Sequence, residues 1–203
     1  TAYPKGFYAV SVSLDEAVLF LYESGEKRGN ALYVKDLKRV EADFMPMATD
    51  MDYQYAPVEV DKGQIYLFTN YGAPRNRLMV AASGKLSLKD WKELVPEQES
   101  VLSGAEIIGG RLILTYDKDA SQHAYVCGMD GKVEYEIKLP VLGSVGFSGK
   151  PDDKECFYSL TSFTIPGTVY KYDMDKNTSE VFRAPQVNFD ADSFVTEQVF
   201  YTS

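Results

Sequence analysis

The feature that most constrains this chain is an internal repeat. Four short apolar runs recur: Val18-Leu19-Phe20-Leu21, Ile65-Tyr66-Leu67-Phe68, Leu112-Ile113-Leu114-Thr115 and Cys156-Phe157-Tyr158-Ser159, with first residues 47, 47 and 44 apart. Each follows a polar turn: Leu14-Asp15-Glu16, Asp61-Lys62-Gly63, Gly109-Gly110 or Pro151-Asp152-Asp153. A second set of runs keeps nearly the same period. Ala31-Leu32-Tyr33-Val34, Arg77-Leu78-Met79-Val80, His123-Ala124-Tyr125-Val126 and Thr168-Val169-Tyr170-Lys171 are spaced by 46, 46 and 45. Self-similarity of this length marks a supersecondary unit that must stack on its neighbours to bury its apolar faces.

Within each unit the order is strand, tight turn, strand, longer loop, strand and a weaker fourth run such as Val133-Glu134-Tyr135-Glu136-Ile137 or Ser179-Glu180-Val181-Phe182. The first of these alternates with period two, as a half-buried strand does. Four strands in about 45 residues is one propeller blade. The expected fold is all-β, with about four blades of four antiparallel strands over 7–50, 51–98, 99–140 and 141–185, followed by a segment 186–203. One stretch, Leu88 to Leu94, reads as a helical turn or two. Four blades make either a small complete ring or an arc of a larger one.

Composition agrees with strands: fifteen Tyr and eleven Phe supply flat rings that pack on pleated surfaces. A net charge of −9 repels phosphate backbones and anionic lipid, which argues against nucleic-acid and membrane partners. No run approaches the 18 or so apolar residues of a membrane-spanning helix, and no signal peptide is legible at Thr1. The two cysteines, Cys127 and Cys156, fall inside apolar runs and read as buried thiols rather than a disulfide framework. The chain fits a cytoplasmic or a periplasmic setting.

Catalytic chemistry is thinly represented. A Ser-His-Asp triad needs a histidine within reach of a hydroxyl, and the one histidine, His123, opens a strand far from any nucleophile turn. Gly146-Phe147-Ser148-Gly149 lacks the spacing of a nucleophile elbow and lies between strands of the repeat. Asp173-Met174-Asp175-Lys176-Asn177 opens like a calcium loop, but Thr178 stands where glycine is required and Ala184 where the bidentate glutamate should be. Asn177-Thr178-Ser179 is a formal glycosylation acceptor only. No zinc-type spacing and no glycine-rich phosphate loop occurs, so no metal or cofactor is expected. Ser13-Leu14-Asp15-Glu16 begins like a sialidase-type box but lacks the glycine and tryptophan that follow it there.

Several segments resemble the propeller of the prolyl oligopeptidase family of serine peptidases. Tyr66 to Asn70 with Pro74, Asn76 and Arg77-Leu78 is similar to a strand–loop–strand of that propeller, and Trp91 to Glu97 to the segment after it. The longest similarities are Gly143 to Gly149 and Tyr158 to Tyr170. Val195 to Ser203 resembles the family strand that leaves the propeller for the α/β-hydrolase domain. The resemblance, from about Phe7 to Ser203, implies the later four blades of a seven-bladed ring. It further implies a parent enzyme that cuts short peptides after proline, with the propeller capping the active site and limiting substrate size. The implied partners are the hydrolase domain and proline-containing peptides. By the same resemblance Phe7 matches an apolar wall of the substrate pocket. Glu23 and Glu26 stand near a basic and an apolar-or-thiol contact residue of relatives, and both depart from the pattern. An arc of blades also exposes faces that neighbours would cover, so self-association of the isolated chain is expected. A stand-alone propeller used as a binding scaffold, and a propeller glycosidase or lyase, are the competing classes, because propellers host many functions.

Overall fold

A computed structural model describes residues 6–39, 41–186, 194 and 197–200. The described chain is built of four antiparallel sheets of four strands, each paired in sequence order. The first holds β1 (Phe7–Val12), β2 (Val18–Ser24), β3 (Asn30–Asp36) and β4 (Met45–Ala48). The second holds β5 (Tyr55–Asp61), β6 (Gln64–Thr69), β7 (Arg77–Ala82) and β8 (Lys92–Val95). The third holds β9 (Val101–Ile108), β10 (Arg111–Lys118), β11 (Ser121–Cys127) and β12 (Val133–Ile137). The fourth holds β13 (Ser144–Ser148), β14 (Cys156–Thr161), β15 (Thr168–Asp173) and β16 (Thr178–Arg183). This is the blade architecture of a β-propeller, and the two sets of periodic runs are the second and third strands of each blade.

The chain divides into two compact units, one of residues 1–105 with 130–132 and one of residues 106–129 with 133–203. In the first, Phe20, Leu32, Tyr55, Ile65, Leu67 and Trp91 form a buried cluster. Tyr55 is edge-on to Trp91, with ring centroids 5.8 Å apart, and its hydroxyl donates to Asp50 Oδ2 at 2.8 Å. In the second, Ile108, Ile113, Val126, Cys156, Tyr158 and Tyr172 do the same. Both cysteines are buried.

Tight turns set the register. Lys62-Gly63 and Gly109-Gly110 are two-residue loops with positive φ at both positions, the twist that a two-residue hairpin requires. The stretch from Leu88 differs in part from its helical reading. Only Leu88–Asp90 is a 3-10 turn. Lys92–Val95 is a strand instead, because pairing with Leu78 to Val80 of β7 satisfies its backbone and overrides local helix propensity. Residues 195, 196 and 201–203 of the expected exit strand lie outside the described residues, and 197–200 form no strand.

One polar device recurs between successive sheets. Asn30, at the start of β3, donates from Nδ2 to Tyr55 O (3.0 Å) and accepts at Oδ1 from Tyr55 N (2.9 Å). One repeat later Asn76 Nδ2 donates to Leu102 O (2.8 Å), while Leu102 N donates to Arg75 O (2.9 Å). One repeat later again, Val145 N donates to Gln122 Oε1 (2.7 Å) and Gln122 N donates to Gly143 O (3.0 Å). In each case an amide at the head of a third strand engages the backbone of the next sheet's first strand. The fourth unit carries Gly167 at that place and has no amide to offer.

Removing one such amide strands a buried N–H, since Tyr55 is 1% exposed. Asn30→Ala should therefore lower stability by about 1–3 kcal/mol, read as a shift of the urea midpoint at constant slope. Gly29→Ala should cost at least as much, because a Cβ there would sit 2.0 Å from Tyr53 O. An unchanged midpoint in Asn30→Ala would remove the amide from the list of interactions holding the sheets together.

Candidate functional site

The residues singled out in the sequence fall on the first sheet. β1 pairs with β2 so that Phe7 faces Ser24 and Tyr8 faces Glu23. Side chains alternate across a strand, so Phe7 and Glu23 point to opposite faces of the sheet. Phe7 is 80% exposed, whereas Glu23 is only 8% exposed. Glu26 is exposed in the bend between β2 and β3. The structure thus places the three close in the chain without converging their side chains on one point.

Glu23 has partners that the sequence reading missed. Tyr8 Oη donates to its Oε1 at 2.8 Å and Tyr33 Oη to its Oε2 at 3.1 Å. The register explains the cluster: Ala31 of β3 lies opposite Glu23, and Tyr33, two residues on, shares that face. Hydrogen bonding to the Glu23 carboxylate raises the Tyr8 hydroxyl above the usual tyrosine range. A carboxylate held by two phenols is fixed in place and has little surface left with which to meet a ligand. The signal for this trio was the alternation of Tyr8, Glu23 and Tyr33 with apolar neighbours, legible only once the strand pairing is known.

On the other face, Ser11 Oγ and Tyr22 Oη are 3.0 Å apart, and Phe7 shares that side. β1 also leaves Val10 and Val12 exposed, at 63% and 49%. The site therefore offers an apolar ridge at Phe7, an exposed acid at Glu26 and a rigid, tyrosine-bound acid at Glu23. Such a surface can shape and steer a ligand.

His123 lies on β11 with Nδ1 2.8 Å from Glu136 Oε1, and among the described residues no hydroxyl or thiol is bonded to its ring. Ser148 ends β13, where it pairs with Phe157, so its backbone is strand and not a strand-to-helix elbow. Among the described residues no helix is long and apolar enough to cross a membrane.

Comparison with known proteins places these sheets. Residues 2–185 match the family model described as the prolyl oligopeptidase N-terminal β-propeller domain. A prolyl endopeptidase of Elizabethkingia meningoseptica is 34% identical over 202 residues, covering 99% of this chain and 28% of the relative. That of Elizabethkingia miricola is likewise 34% identical, over 205 residues, with the same coverage. A solved structure from work on two prolyl endopeptidases and their inter-domain dynamics superposes with a TM-score of 0.89 at 32% identity, over 99% of this chain and 30% of that one. Prolyl oligopeptidase B of Galerina marginata superposes at 0.82 over 94% of this chain and 28% of that one; at 19% identity the likeness is one of fold. The chain thus spans less than a third of the length of the relatives it matches, and it belongs to the prolyl oligopeptidase family, within the N-terminal β-propeller domain.

Proposed function

We propose that this chain is the non-catalytic propeller part of a serine endopeptidase that cleaves short peptides after proline, and that it works by capping the active site of an α/β-hydrolase domain. The match of residues 2–185 to the family's propeller carries this reading. The engagement of the one histidine by Glu136, with no hydroxyl or thiol bonded to its ring among the described residues, supports a non-catalytic role. A cap restricts substrates by size and by the character of its walls, which changes relative kcat/KM without supplying a reacting group.

Within that cap, Phe7 and Glu26 contribute to the substrate-facing wall, and Glu23 lies on the opposite face of the sheet from Phe7. Phe7 supplies apolar surface and Glu26 a solvated negative charge. Glu23 acts through the two tyrosines it positions, and not as a free carboxylate.

The full encoded chain should hydrolyse a chromogenic Gly-Pro substrate, and the 203-residue segment alone should not. Turnover that copurifies with the segment would overturn the assignment, as would a full chain with no prolyl-specific activity.

In the full chain, Glu26→Gln should shift the ratio of kcat/KM between basic and acidic test peptides by roughly 1.5- to 5-fold against the basic one, the range expected of an exposed charge. Phe7→Ala should raise KM with little change in kcat. Identical parameters for both variants would remove this wall from the substrate path.

The segment alone should associate, because β1 leaves Phe7, Val10 and Val12 exposed and β16 leaves Val181 and Phe182 exposed. Light scattering should show a dimer or larger species, and a monomer at high concentration would refute this.

A further inference from the structure

Glu106 is a carboxyl with no hydrogen-bond partner for its buried Oε2. It lies on β9, two residues from Ile108, and so shares that residue's face of the strand. Ile108 belongs to the cluster that joins the third and fourth sheets, with Cys156, Tyr158 and Met174. A Cβ added at Gly149 would meet Ile108 Cγ2 at 2.6 Å, which shows how closely the loop before β14 approaches. Glu106 is thus at the edge of the seam between two sheets, half-buried as a residue but with its Oε2 enclosed.

The acid one repeat earlier shows what a satisfied carboxylate looks like at this place. Glu59 Oε1 accepts from Val60 N at 2.8 Å and from Leu14 N at 3.1 Å. Glu106 has no counterpart of either bond among the described residues.

Charges around it are committed elsewhere. Arg111, at the head of β10, pairs with Glu134 (3.5 Å) and Asp175 (3.3 Å). On the loop leading into β14, Asp153 Oδ2 accepts from Lys150 N, and Glu155 pairs with Lys171. The titratable group in electrostatic reach is the Cys156 thiol, pushed up to about 12 by burial and then by Glu106. Tyr158 and Tyr172 flank that thiol, and burial holds both phenols above their usual range.

We propose that the seam between the third and fourth sheets is a pH-sensitive joint governed by Glu106, closed while its carboxyl keeps its proton and loosened when the proton leaves. An unpartnered carboxylate in such a seam is costly, and the relief open to it is for the sheets to part and admit water. Burial raises the Glu106 carboxyl to about 7, while the unfolded chain holds it near the ordinary value. The folded state therefore binds the extra proton between those two values. The seam's stability is complete below the ordinary carboxylate range, is lost as pH rises from there through 7, and levels off above that, where folded and unfolded chains have both released the proton.

The test follows alkylation of Cys156 by iodoacetamide in the full encoded chain, resolved by peptide mass spectrometry, with Cys127 as internal reference. Any solvent-exposed thiol reacts faster as pH rises, so the quantity read is the ratio of Cys156 to Cys127. Between pH 6 and 8.5 the ratio of Cys156 to Cys127 modification should rise on the order of tenfold, and Glu106→Gln should abolish the rise. A flat ratio in the natural protein, or the same rise in Glu106→Gln, would overturn the proposal. Hydrogen exchange of β9 and β14 amides in the natural protein, corrected for intrinsic base catalysis, is a second reading that needs no variant. Protection that does not fall between pH 6 and 8.5 would overturn it as well.

Discussion

A side-chain amide at the head of a third strand binds the backbone of the first strand that follows, at three places within the two units. A four-stranded sheet with two apolar faces cannot bury both by itself. Stacking solves the apolar problem but brings the first strand of the next sheet into the seam, where its backbone groups need partners away from water. Asn30 and Asn76 answer that need in the first unit and Gln122 in the second. The amide carries both a donor and an acceptor, so one side chain can satisfy both the N–H and the C=O of another residue, as Asn30 does at Tyr55.

The same physics separates the two seam glutamates. Glu59 is anchored by two backbone N–H groups, whereas Glu106 has an orphan oxygen and a raised affinity for its proton. Glu23 solves the problem differently, with two tyrosine hydroxyls. Three acids on first and second strands of the sheets thus have three different sets of partners.

Under the role of a cap proposed above, these features are the ones that would act on a reaction: the exposed Phe7 and Glu26 as a wall, and the Glu106 seam as a joint.

Much of the fold was legible in the residues. The two periodic sets of runs became the second and third strands of each sheet, because a buried strand needs a continuous apolar run and tight turns need glycine or polar residues at positive φ. The amide series was present too, since Asn30, Asn76 and Gln122 each precede an anchor run, but its role stays hidden until the next strand is in place. Lys92–Val95 went unread as a strand because its pairing with β7 depends on tertiary context and not on local pattern. The sequence by itself determined the repeat, the strand class and the poverty of catalytic groups, all of which rest on local chemistry and spacing. Only the tertiary structure decided that Phe7 and Glu23 face opposite ways, that Glu23 is bound and Glu106 is not, because strand register and the packing of sheets bring together groups that no sequence interval relates.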